Sequence, residues 1–280
     1  MEYLTLSGGV KMPLVGFGTF QITGARECED SVISAINSGY RLIDTAQAYG
    51  NEEFVGNAIR KCGVSRNELF ITTKLWFRNY EKSDAEKSLD RSLEKLQVDY
   101  IDMVLLHWPY GNVYEAWRTL ERFYKAGKIR AIGISNFDAD RMIDLITFNN
   151  IAPCLNQIET NLLCQRKQER KWLEKYGLAH QAYAPLGQSR ANEILGNETV
   201  KRIALNHEKT AAQIALKFLV QSGISVIPKS VHADRIKGNI NIFDFSLTDD
   251  EIKALEAIDA AAAAIGNAEN PEKTEFAMTW

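Results

Sequence analysis

The chain has 280 residues, 45% hydrophobic, 25% charged and 10% aromatic, which allows a large core and excludes disorder, collagen-like repeats and long coiled coils. Thirty-three basic against thirty-six acidic residues give a formal charge of −3 with no dense Lys/Arg run, so nucleic acid is not an expected partner and any bound phosphate is held locally. The cysteines Cys28, Cys62, Cys154 and Cys164 lack CxxC spacing, MEYLTLSGGVKM is unlike a secretory leader and no apolar run reaches about 18 residues, so the expectation is a cytoplasmic protein without metal, disulfide or membrane span.

Short apolar, β-branched runs begin near Leu14, Arg41, Leu69, Ile101, Ile129, Pro153, Leu178 and Ile224 and predict eight strands. Helical patterns lie between them. Ser83-Asp84-Ala85-Glu86 reads as a capping box before Leu89, Leu93 and Leu96, and Thr248 to Glu251 opens the last helix, with Ile252, Leu255 and Ile258 facing inward. Strand starts are roughly 25 to 30 residues apart, about one βα unit, except a final gap of about 46 with room for an extra helix. Ala260 to Ala264 reads as a helix extension without function. No linker divides residues 1–280, so one domain is expected, either a closed barrel or a doubly wound sheet.

The strand ends separate these two. In chain order they carry Thr19, Asp44, Lys74, His107, Ser135-Asn136, Gln157, Tyr183 and Lys229. Polar groups on so many strand ends converge only if the sheet closes, which predicts an α/β (β/α)8 TIM barrel with its site at the C-terminal face. Gln21 replaces the third glycine of a GxGxxG run after Gly16 and Gly18, which weakens a Rossmann assignment.

Asp44, Tyr49, Lys74 and His107 form a proton-handling set, although each alone reads more simply as a cap, a packed ring or a core residue. A Lys ending FITT is drawn below the rim and needs a partner, for which Asp44 is placed. An ammonium about 4 Å from Tyr49, at a dielectric of about 20, favours phenolate by about 4 kcal/mol, or about three pKa units. That predicts a phenol tuned toward neutrality as a general acid, with His107 orienting a carbonyl oxygen. Carbonyl reduction also needs a hydride donor, hence a nicotinamide. Ser135, Asn136 and Gln157 suit its carboxamide and Tyr183 its ring face, while Lys229, Ser230 and Arg235 suit a phosphate monoester or, equally, begin a solvated helix.

RLIDTAQAYGNEEFVGNAI, IDMVLLHWP, IRAIGISNF and IPKSVHADRIKGN together resemble the aldo-keto reductase family over nearly the whole chain. The resemblance implies a catalytic tetrad of Asp44, Tyr49, Lys74 and His107, with Tyr49 as acid and base. It implies NADPH/NADP contacts at Gly18, Thr19, Phe20, Asp44, Ser135, Asn136, Gln157, Tyr183, Leu186 and Asn239, with Lys229, Ser230, Val231, His232 and Arg235 around the 2′-phosphate. The implied partner is a small carbonyl substrate held by Phe20, Tyr49, Trp76, His107 and Trp108, with Trp280 a further candidate, and the expected state is a monomer. A short loop after His107 and a short tail predict a shallow roof and broad selectivity. Gly238 stands where many members place a Glu toward the adenine amine, and a cationic His232 would raise NADPH preference as pH falls. Other readings are a lyase or aldolase using Lys74 as a Schiff-base nucleophile, a non-catalytic NADPH-binding sensor, and a phosphosugar barrel.

Overall fold

The computed structural model describes residues 2–265 and 270–279. Two short strands come first, β1 (Tyr3–Thr5) and β2 (Lys11–Pro13), paired antiparallel around the Ser7-Gly8-Gly9 turn. The barrel strands follow: β3 (Gly16–Gly18), β4 (Leu42–Asp44), β5 (Phe70–Leu75), β6 (Ile101–Leu106), β7 (Ile129–Ser135), β8 (Leu155–Glu159), β9 (Ala179–Tyr183) and β10 (Ser225–Val226). They form one parallel sheet in sequential order, and each begins within two residues of its predicted start. Between β10 and the first strand, Val226 N–H donates to Leu14 O at 2.8 Å and Gly18 N–H to Pro228 O at 3.1 Å, bringing the two ends of the sheet together.

Two cores follow from the period-two alternation of buried strands. On β6, Met103 and Leu105 point into the barrel beside Leu42, Phe70, Leu155 and Ile227, while Val104 and Leu106 face the helices. The β1–β2 hairpin plugs the floor, with Leu6 and Met12 in that inner cluster. It was missed in the sequence, where the Gly-Gly turn between short apolar runs was its signal. Gly133 lies where the inner layer is tight: a Cβ there would meet Leu105 Cδ2 at 2.7 Å and Leu155 O at 2.9 Å.

Two local expectations are corrected. The helix Lys82–Leu96 is preceded by Glu81 and has no side-chain cap, so Ser83 lies inside it; the apolar face of Leu89 and Leu96 sets its register instead. The Thr248/Glu251 capping box does form, and opens Asp249–Glu256. Ala260 to Ala264 is not helical but an irregular strap. It crosses the C-terminal face with Ala260 and Ala262 N–H on Leu163 O, and with Ala264 and Ile265 N–H on the buried carboxylate of Glu159. Alanine's helix propensity, a few tenths of a kcal/mol per residue, is overridden by charge-assisted backbone bonds. The long last interval holds Ala191–Leu195, Glu198–Asn206 and Ala211–Gln221, which fill the predicted room.

Candidate active site

Asp44 ends β4, Lys74 is the penultimate residue of β5 and His107 follows β6, all at the C-terminal mouth. Tyr49 closes a short 3-10 turn, Gln47–Tyr49, whose end is set by Gly50 at φ 68°. Lys74 Nζ lies 2.5 Å from Asp44 Oδ1, 3.0 Å from Thr45 O and 3.2 Å from Tyr49 OH. The ring of Tyr49 is edge-on to His107 at 5.8 Å between centroids, and Phe20 tilts against it at 5.0 Å. Trp76 closes on His107 at 5.2 Å, and its backbone N–H donates to Gln47 Oε1 at 3.1 Å. The four groups read as one proton-handling set therefore share one cleft.

Burial sets their protonation. Asp44 and Lys74 are sealed from water, which pushes the carboxyl up and the ammonium down, while their mutual attraction opposes both shifts. Burial also drives the Tyr49 phenol well above its ordinary value, and the Asp44 carboxylate adds to the rise. This corrects the expectation of a phenol brought toward neutrality. Paired at 2.5 Å, the ammonium is half of a dipole whose negative end cancels much of its field at Tyr49. Tyr49 is a protonated donor at neutral pH. Desolvation, reinforced by Lys74, holds the His107 imidazolium well below the usual histidine range, so its ring is neutral, and its buried Nδ1 has no hydrogen-bond partner among the described residues.

The amide-bearing residues surround this cluster. Ser135 Oγ donates to Gln157 O (2.8 Å), and Asn136 Nδ2 donates to His107 O (3.0 Å) and Ser135 Oγ (3.2 Å). Tyr183 OH donates to Asn136 Oδ1 at 2.7 Å. Asn136 is held at φ 62°, a left-handed conformation asparagine tolerates better than most residues. Gln157 Nε2 donates to Asp44 Oδ2 at 2.8 Å, linking the amide set to the ion pair. Thr19 Oγ1 is engaged by Asp44 O at 3.0 Å, and Gly18, next to it, joins the barrel seam. Leu186 packs half-buried on the outer core.

Beyond β10, Ser230 Oγ accepts from His232 N–H at 3.1 Å at the start of the helix Ala233–Ile240, so the hydroxyl has a structural partner. Lys229, His232 and Arg235 are exposed, Val231 is half-buried and Asn239 is buried. No ion pair involves the three basic side chains among the described residues. Lys229 and Arg235 are thus charged side chains with no acid attached among the described residues. A nicotinamide dinucleotide with an added phosphate fits these features: exposed basic residues without acid partners beyond β10 and an amide-lined, aromatic-walled cleft at the mouth.

Trp108 stacks on Tyr110 at 5.5 Å, and Tyr110 also meets Phe77 edge-on at 5.7 Å. Over them lies the helix Pro271–Ala277, where Thr274 Oγ1 is 3.2 Å from Tyr110 OH and Met278 O accepts from Arg78 at 2.5 Å. The short tail thus docks a helix on the pocket wall, giving more roof than its length suggested; Trp280 lies outside the described residues. Sequence reading missed Gln47, Asn51, Tyr110 and Glu159. Asn51, fully engaged with Thr45, Thr19 and Ile22, pins the loop bearing Tyr49. The polar density of TAQAYGNEE was its only signal.

A family model described as the aldo/keto reductase family matches residues 14–260. The chain is 41% identical over 258 residues to a glyoxal reductase of Bacillus subtilis, covering 92% of each. It is 40% identical over 259 residues to a methylglyoxal reductase of Yersinia pestis, covering 91% of this chain and 92% of the other. Among solved structures, an aldo-keto reductase from a Medee basin deep-sea metagenome library superposes with a TM-score of 0.93 at 36% identity, covering 95% of this chain and 98% of the other. A Bombyx mori aldo-keto reductase in complex with NADP superposes with a TM-score of 0.89 at 31% identity, covering 98% and 96%.

Proposed function

The chain belongs to the aldo/keto reductase family of oxidoreductases, and on that premise we propose that it reduces small aldehydes and ketones to alcohols with NADPH. The observation that carries this reading is the Lys74 ammonium lying between Asp44 Oδ1 at 2.5 Å and Tyr49 OH at 3.2 Å. Nothing in that triad needs to move for Tyr49 to act as the acid.

In the proposed reaction, Tyr49 is the proton donor to the substrate oxygen. Its raised pKa keeps the proton in place until the carbonyl oxygen gains negative charge and becomes the stronger base. The phenolate left behind is stabilised by the Lys74 ammonium, oriented by Asp44 and Thr45 O. His107, neutral and edge-on to Tyr49, offers a ring N–H to the same oxygen without competing for the proton. Phe20 and Trp76 exclude water from the reacting carbon. NADPH supplies the hydride when bound; Ser135, Asn136, Gln157 and Tyr183 would hold its nicotinamide, and Gly18, Thr19, Leu186 and Asn239 would line its path to the phosphate. Lys229, Ser230, Val231, His232 and Arg235 would hold the 2′-phosphate.

The fully buried, ion-paired Lys74 argues against a Schiff-base lyase, whose lysine must be reachable and unprotonated. The test is loss of NADPH absorbance with glyoxal, methylglyoxal, aromatic aldehydes, sugars, keto acids and ketosteroids. Turnover of aldehydes without a lysine adduct trapped by borohydride supports the proposal; NADPH binding without turnover of any of them refutes it.

A further inference from the structure

Beneath the site runs a buried polar chain of which the proposed reaction uses only the first member, Gln157. Gln157, Gln181 and Ser225 are register partners on β8, β9 and β10, all essentially sealed from water. Gln157 Nε2 donates to Asp44 Oδ2 at 2.8 Å and to Gln181 Oε1 at 2.7 Å. Gln181 Nε2 in turn donates to Ser225 Oγ at 3.1 Å and meets Met12 Sδ, from the floor hairpin, at 3.8 Å.

The order of donors along this chain follows from its first member. A carboxylate accepts only, so the Gln157 atom facing Asp44 is its nitrogen. The neighbour of that nitrogen on Gln181 must then be the oxygen, which leaves the Gln181 nitrogen for Ser225. Both Nε2 protons of Gln157 are engaged inside the barrel. Its Oε1 accepts from no donor among the described residues and is not among the sealed, partnerless atoms, which include His107 Nδ1 and Asn156 Oδ1.

Resting on the NADPH reading above, we infer that Gln181 is a positioning residue for cofactor recognition: Asp44 sets which end of the Gln157 amide is nitrogen, Gln181 holds the second N–H and with it the direction of Oε1, and the site so selects a nicotinamide whose ring substituent carries an N–H donor. Ser225 fixes Gln181 in the same way. An amide free to rotate would accept donor and acceptor substituents alike; one held by two buried partners does not.

The probe is reduced 3-acetylpyridine adenine dinucleotide phosphate, in which a methyl replaces the carboxamide nitrogen, with Kd read from tryptophan fluorescence beside that of NADPH. The wild type binds NADPH about tenfold more tightly than the analogue, the effect of one well-made hydrogen bond. Gln181→Met keeps the chain length and leaves Gln157 held by Asp44 alone, and the ratio falls about threefold. Ser225→Ala, a smaller change that keeps the test open if the first variant does not fold, lowers the ratio part of the way. A merely structural role would weaken both dinucleotides equally, so an unchanged ratio in either folded variant overturns the inference. A wild-type ratio near one does the same while sparing the proposed function, whereas failure of the wild type to bind either dinucleotide sinks both.

Discussion

Replacing Asp44 by Asn removes one charge from a fully buried ion pair and nearly nothing of its shape. At 2.5 Å, with an effective dielectric of about 20, the lost attraction is about 7 kcal/mol. Part of that offsets the cost of burying the carboxylate itself, so breaking the pair should destabilise the fold by about 3 to 5 kcal/mol at pH 7. Lys74 then keeps only the neutral partners Thr45 O and Tyr49 OH. Burial already lowers its pKa, and losing Asp44 lowers it further. The unfolded chain, with its lysine near the ordinary value of about 10.4, then binds more protons than the folded variant, so the stability of Asp44→Asn rises with pH through the window below that value. One proton contributes at most about 1.4 kcal/mol per pH unit, or about 3 kcal/mol between pH 7 and 9.5. Urea unfolding of both proteins at the two pH values measures this. The gap between wild type and variant should narrow; a gap that stays constant would mean that Lys74 is not the buried charge left behind, and the account of the site would be wrong.

Tyr49→Phe should reduce turnover 10²- to 10⁴-fold, because Phe20 and His107 still pack the ring and only the proton donor is lost; NADPH affinity by fluorescence should stay within about twofold. Arg235→Ala should weaken NADPH about tenfold and NADH hardly at all, and equal weakening would place Arg235 outside the 2′-phosphate site. Gly238 sits within the helix Ala233–Ile240 with nothing within 4 Å of an added Cβ, so Gly238→Glu should fold normally, gain up to about 1 kcal/mol of helix stability and tighten NADPH several-fold; calorimetric titration tests it. Asp102, fully buried, anchors Arg66 and Arg130 at 2.6 Å each and takes the N–H of Ile71 at 2.9 Å; Asp102→Asn should cost about 3 kcal/mol in urea unfolding without altering Kd for NADPH.

The eight strands, their parallel order and the closed barrel were legible because strands buried on both faces read as apolar runs, and because a polar residue ending such a run has only the mouth to occupy. The same logic singled out Asp44, Lys74, His107 and Gln157 as strand-end groups. Two kinds of feature were not legible. The Ser83 cap failed because a local hydrogen bond of about 1 kcal/mol yields to the register that buries Leu89 and Leu96, and the Ala260 to Ala264 strap left its helix for Leu163 and Glu159, roughly one hundred residues away in sequence. The protonation of Tyr49 could not be read from spacing either. A sequence places an ammonium near a phenol, but only the folded barrel decides how much water is removed from both and that a carboxylate 2.5 Å away cancels the ammonium's field. Periodicity and residue type are one-dimensional and survive in the chain, whereas desolvation and charge cancellation depend on which distant groups the closed sheet brings together.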